Sequence, residues 1–476
     1  MAALLQLKDR IIGSIMGVFI GDALGVGVHW QYDLDVLERE RGFVTDYLDP
    51  LPGTFHSGTP DAPAPGTLKA GQLEQQGVID KLLLESLATY GALNQSDFLR
   101  RLEDTILLGD STMDGTRQGG RYGWTDKSIC DIYKARIMEG KPWEDCVPPR
   151  SDTPDSIIRA ALIGALYFQT PREMAVQVQT HARYATMDSS VQSHAVAFAS
   201  MVAATLDADL PLDDTLSTAL YNQAGKALPF STMYSSKDND PTYGTYSEPD
   251  SMLWFGQIAK GVKANQDYLP SKAHRGVLLY GQFCAFFASL PSAYYCVARF
   301  PNSFEDSILC SINGGGQTTM RSSLVGALVG AKVGLQGIPS RFLQGLEDHE
   351  YLLALASSVA DVAVARSNSS DAWNWPRNNK DGEHGLPVGK LDKNSEQRID
   401  GNLNAIDSIG GWHFRGDTPF SLSGFGKYNP DGSDGRLIPA AFVLGVALAF
   451  LIPSAYKRGV RSIASRRRSH QYEVIA

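Results

Sequence analysis

Three short segments carry the side chains that could do chemistry. Residues 11–33 read I-I-G-S-I-M-G-V-F-I-G-D-A-L-G-V-G-V-H-W-Q-Y-D, residues 71–77 read G-Q-L-E-Q-Q-G, and residues 313–321 read N-G-G-G-Q-T-T-M-R. Asp22 and Glu74 supply carboxylates, the residue type that glycoside cleavage uses in pairs as acid and base. His29 adds an imidazole whose ordinary pKa suits proton transfer near neutrality. Two plainer roles stay open, with Asp22 capping a backbone turn and His29 packing in the core beside Trp30. Arg321 is of the type that pairs with a phosphate, or simply with Glu74. Gln75, Gln76 and Gln317 offer a carbonyl oxygen and an NH2 without charge, a fit for sugar hydroxyls but a poor one for a hard cation.

The elements that must hold these groups are helices. Residues 79–90, 155–168, 174–181, 192–206, 213–225, 274–288 and 322–335 carry apolar side chains at three-to-four spacing, without strand-like alternation. No βαβ pattern or G-x-G-x-x-G after a strand is found. An all-α, large orthogonal bundle over residues 1–365 is therefore expected. Gly13, Gly17, Gly21 and Gly25 fall four apart, as do Gly326, Gly330 and Gly334. Each set makes a smooth ridge on one helix face, so the two helices are predicted to cross closely at the centre of the bundle. Tight packing alone is sufficient reason for such ladders. Residues 115–143, rich in aromatics and arginines, read either as a lid over a pocket or as an ordinary loop and helix.

The chain has 476 residues, 43% hydrophobic and 20% charged, which fits a globular protein. A net charge of -9 argues against a nucleic-acid partner, because phosphate binding needs a concentrated basic face. The five cysteines are odd in number and scattered, with no C-x-x-C pair, which fits neither a disulfide framework nor a zinc site, so a reducing compartment is expected. No secretory signal pattern opens the chain.

Composition changes after residue 365. Residues 366–436 are rich in Asn, Asp, Gly, Ser and Pro and read as a polar linker, with Trp373, Trp375 and Trp412 as a possible aromatic cluster. Residues 437–456 run without charge for about the thickness of a bilayer core, and a basic tail follows over 457–476. A membrane anchor at 437–456 with the main domain in the cytoplasm is the expectation, and a wholly soluble cytoplasmic protein the alternative. The basic tail runs against the positive-inside tendency for that topology.

The segment G-D-A-L-G at 21–25 and its exit resemble the opening of the ADP-ribosylglycohydrolase family, and H-W-Q-Y-D at 29–33 is similar to its divergent branch of jellyfish crystallins and selenoprotein J. Residues 71–87 lie where the family has a T-D-D-T loop opening a helix. Residues 151–165 take the place of a central ligand-contacting segment, and 313–331 that of a G-G-D-x-D-[ST] loop and helix, with G-L-Q-G-I-P following at 334–339. The resemblance covers about residues 8–350. It implies an all-helical fold and an ADP-ribose-like small-molecule ligand. By the same correspondence Asp22, His29 and Glu74 become the candidate catalytic groups. Gln75, Gln76, Asp80, Asp152, Asn313, Gly315, Gly316, Gln317, Thr318, Thr319 and Arg321 become candidate ligand contacts. Active members hold two magnesium ions on the two loops. Here Glu74-Gln75-Gln76-Gly77 stands on the T-D-D-T positions and Gln317, Thr319 and Met320 on the D, D and [ST] positions, so no metal and no cofactor is expected. Two functions follow: a hydrolase of weak or altered activity, or a noncatalytic ADP-ribose reader or structural protein.

Overall fold

The structure, a computed structural model, describes residues 2–367 apart from 53, 55, 57–67, 118–119, 123, 147–150, 209, 218–219 and 221–253. The expected linker beyond its first two residues, the apolar run and the basic tail therefore lie outside the described residues, as does most of the helix expected over 213–225; residues 366 and 367, expected in the linker, end a helix instead. Among the described residues there is no strand. The helices are α1 (Ala2–Val26), α2 (Leu34–Arg41), α3 (Gln75–Tyr90), α4 (Gln95–Leu102), α5 (Lys127–Tyr133), α6 (Asp155–Leu166), α7 (Pro171–Ala182), α8 (Ser189–Ala208), α9 (Trp254–Ala264), α10 (Phe286–Arg299), α11 (Phe304–Ile312), α12 (Thr318–Val333), α13 (Ser340–Gly345) and α14 (His349–Ser367).

Helix α1 is apolar all round and buried from Arg10 onward, which places it at the centre rather than on a surface. Its partner is α12. A Cβ on Gly17 would lie 2.1 Å from the Gly326 carbonyl oxygen, one on Gly13 2.7 Å from that of Gly330, and one on Gly25 2.5 Å from the Thr319 nitrogen. Four residues forward on α1 match four backward on α12, so the helices run antiparallel with their backbones touching, as the two ladders predict. Polar groups on the seam are satisfied across it. Ser14 donates to the Ala327 carbonyl at 2.9 Å, and the Arg10 guanidinium donates to Ala331 at 2.8 Å and to Thr205.

Helix α14 packs against α1 and α3, while α6 and α8 flank the centre and close on each other through Gly164. Most sequence-derived helices appear with ends moved by a few residues. The α7 helix begins early because Pro171 starts it at a position where no backbone donor is missed. The helix expected over 274–288 is split instead. Residues Ala273–Leu279 form a 3-10 turn, Gly281 takes a left-handed φ of 108°, and α10 starts at Phe286. Tyr295 drives this arrangement, because its hydroxyl donates to Ala273 at 2.9 Å and its ring fills the space where Gly276 lacks a side chain.

Candidate functional site

The exit of α1, the start of α3 and the start of α12 converge, and their polar residues meet there. Chain geometry after α1 is set by a reciprocal backbone pair: Trp30 N donates to the Gly316 carbonyl at 2.9 Å, and Gly316 N donates to Gln31 at 2.8 Å. Trp30 accepts a left-handed φ of 65° to make this contact, a strain that sits beside the candidate chemistry. Gly315 and Gly316 are left-handed too, and a Cβ on Gly316 would meet Gln282 at 2.4 Å, so this loop requires glycine.

Glu74 is the hub. Its Oε1 accepts from the Thr319 hydroxyl at 2.8 Å, and Thr319 Oγ1 lies 3.1 Å from His29 Nδ1. Its Oε2 faces His56 Nε2 at 3.4 Å. Its backbone N donates to Asp22 Oδ2 at 2.9 Å, which anchors the first turn of α3 and explains why that helix begins at Gln75. Above the hub, the Trp30 indole stacks on His56 at 4.6 Å and meets Trp124 edge-on at 5.5 Å, with the Arg117 guanidinium 4.5 Å over Trp124.

Burial sorts the acids. Burial raises Asp22 well above the usual carboxylate range, and the Glu74 charge adds to it. Burial also raises Asp126 and Asp155, and pushes Asp80 up to about 7 against the pull of Arg159. Burial works on Glu74 in the same sense, but His56, His29 and the Thr319 hydroxyl outweigh it and hold Glu74 below its ordinary value. Loss of water pushes His29 down to about 3, leaving a neutral imidazole at neutral pH.

The sequence candidates divide accordingly. Asp22, His29, Glu74, Gln75, Gln76, Gln317, Thr318 and Thr319 are brought together, all buried. The amides are spent on protein. Gln75 donates to Thr125 at 3.1 Å and accepts from Asp126 N at 3.2 Å, while Gln76 donates to Asp126 at 2.7 Å and accepts from Arg159 at 3.0 Å. Gln317 donates to the Tyr32 hydroxyl at 3.1 Å, and Thr318 donates to the Gly25 carbonyl at 2.7 Å. Asp80 sits behind this layer, 3.9 Å from Arg159.

Three candidates are placed otherwise. Asn313 donates to Val44 and Leu309 and accepts from Val44 N, so its amide braces the chain. Arg321, fully buried, donates to the Ser311 and Gly315 carbonyls at 2.7 and 2.6 Å, which ties its guanidinium to the backbone rather than to Glu74. Asp152 is exposed, and its neighbour Asp155 is the buried acid. The Pro154-Asp155 pair marks a helix start, the sequence signal that points to Asp155. His56 and Asp126 were missed. Asp126 lies in the aromatic segment that reads either as a lid or as an ordinary loop and helix; it brings Tyr122, Trp124 and Thr125 beside Glu74, Gln75 and Gln76, whereas no spacing in the sequence reveals His56.

The magnesium pair implied by the resemblance does not fit. Among the described residues, no three carboxylates bring oxygens within 4.8 Å of one another; the grouping found is His29, His56 and Glu74. Paired hard cations demand anionic oxygens, and the amides standing in their place are already committed to the protein. A cavity of about 390 Å3 is lined by Leu34, Phe43, His274 and Asn313, and Glu74 is not part of its lining.

An uncharacterized protein of Archaeoglobus fulgidus is 23% identical over 357 residues, which cover 75% of this chain and 97% of that one. The solved structure of an ADP-ribosylglycohydrolase-related protein complex covers 75% of this chain and 99% of its own, at 18% identity and a TM-score of 0.49. The profile described as ADP-ribosylglycohydrolase matches residues 4–369, and the chain belongs to that family.

Proposed function

We propose that the protein binds an ADP-ribose-like ligand over Glu74 and hydrolyses its ribosyl glycosidic bond weakly, without the family's magnesium pair. The observation that carries this reading is the placing of Glu74, a buried carboxylate that accepts from the Thr319 hydroxyl at 2.8 Å beneath the Trp30 and Trp124 rings. In this role Glu74 takes the proton from water, and the aromatic walls hold the flat part of the ligand. Asp22 fixes the Glu74 backbone, so it acts as a positioning residue. A noncatalytic reader or structural protein is the second reading. It is favoured by the fact that the side chains brought together here, Asp22, His29, Glu74, Gln75, Gln76 and Gln317, are each less than a tenth exposed.

Calorimetric titration with ADP-ribose, with and without Mg2+, is the test, paired with release of ADP-ribose from a modified peptide by wild type and Glu74→Gln. Magnesium-independent binding with release abolished in the variant is expected. Binding with no release in either protein supports the reader, and binding that requires Mg2+ overturns the proposal.

The apolar run at 437–456 supports attachment of the chain to a membrane through its C-terminal part. Among the described residues no helix is long and apolar enough to cross a membrane, so any span rests on that run.

A further inference from the structure

We infer that His29, His56 and Glu74 form a binding site for one late first-row divalent metal ion, with zinc the best match.

The His56 imidazole carries the argument. Its Nδ1 faces the Tyr122 carbonyl at 3.1 Å, and a carbonyl can only accept, so Nδ1 bears the proton. In the neutral ring Nε2 then presents a bare lone pair. That atom is buried, has no hydrogen-bond partner, and points toward Glu74 Oε2 at 3.4 Å, out of line for a hydrogen bond. Two acceptors facing each other in a dry site call for a cation between them. For metal bonds of about 2.0–2.1 Å in a tetrahedron, neighbouring ligand atoms stand about 3.3 Å apart, which is close to the separation observed here.

The third ligand and the outer partners are also present. One nitrogen of His29 lies within 4.8 Å of the other two ligand atoms, near enough to complete the set. Ligating histidines characteristically donate their other N–H to a carbonyl, and ligating carboxylates are hydrogen-bonded in turn. Tyr122 O serves His56 in this way, and the Thr319 hydroxyl serves Glu74 Oε1 at 2.8 Å. Stacking of Trp30 on His56 at 4.6 Å and its edge contact with His29 at 4.4 Å fix both rings. Two imidazoles and one carboxylate leave a coordination position open for water or a ligand oxygen.

The test uses the full chain stripped with a chelator and titrated with Zn2+ calorimetrically and with Co2+ by visible absorption, without substrate. One equivalent per chain is expected, not displaced by a large excess of Mg2+. His56→Gln, His29→Gln and Glu74→Gln should each weaken binding by more than the roughly 10–100-fold that loss of an outer partner costs, while His349→Gln leaves it unchanged. Where a variant fails to fold, X-ray absorption on the Zn2+-loaded wild type decides, with two imidazole nitrogens expected in the first shell. Absence of stoichiometric binding, equal affinity in folded His56→Gln and His29→Gln, or an all-oxygen shell overturns the inference. Zinc binding without ADP-ribose release would sink only the hydrolase reading.

Discussion

Gly17 of α1 and Gly326 of α12 touch backbone to backbone: a Cβ added to either would sit 2.0–2.1 Å from the other's carbonyl oxygen. Neither backbone can move without shifting the rest of the seam, whose far end holds Gly25 against Thr319. Gly17→Ala is expected to lower stability by about 1–3 kcal/mol or more, the cost of overpacking a close core contact. Denaturant unfolding measures it, and an unchanged midpoint would mean the helices are not in this contact.

Asn313 separates a bracing role from a ligand contact. It satisfies both polar groups of the Val44 backbone, so Asn313→Ala leaves buried groups unpaired at about 1–3 kcal/mol. Calorimetry on the same variant should find the affinity for ADP-ribose unchanged. Wild-type stability combined with lost affinity would return Asn313 to the ligand site.

Asp80 gives the fold a pH signature. Its folded pKa of about 7 lies above the ordinary 3.8, so the native state binds the extra proton between those values. The stability contribution of that proton is complete below the lower value and is lost as pH rises through the upper one. Asp80→Asn, neutral throughout, should flatten the fall in melting temperature across this window and gain on wild type above it. Parallel wild-type and variant curves would show that Asp80 does not titrate there.

Membrane attachment is tested by fractionation. The full chain is expected in the membrane pellet, released by detergent but not by salt, and removal of residues 437–476 should send it to the supernatant. Full-length protein in the supernatant without detergent would eliminate the anchor.

The helical architecture and the central crossing follow from local chemistry along the chain. A four-residue glycine spacing puts Gly13, Gly17 and Gly21 on one face whatever surrounds them, and apolar periodicity marks which helices are buried. The loss of anionic oxygens at Gln75, Gln76 and Gln317 is equally a property of residue type. The site itself is decided by contacts between segments far apart in sequence. His56 becomes a neighbour of Glu74 only through the Tyr122 carbonyl and the Trp30 ring, and Arg321 turns inward only because the left-handed Gly315 aims its carbonyl there. Which acid is ionised depends on burial and neighbours rather than residue type. Asp22, Asp80 and Glu74 read alike in the sequence, and the packed helices hold Glu74 charged while raising the other two.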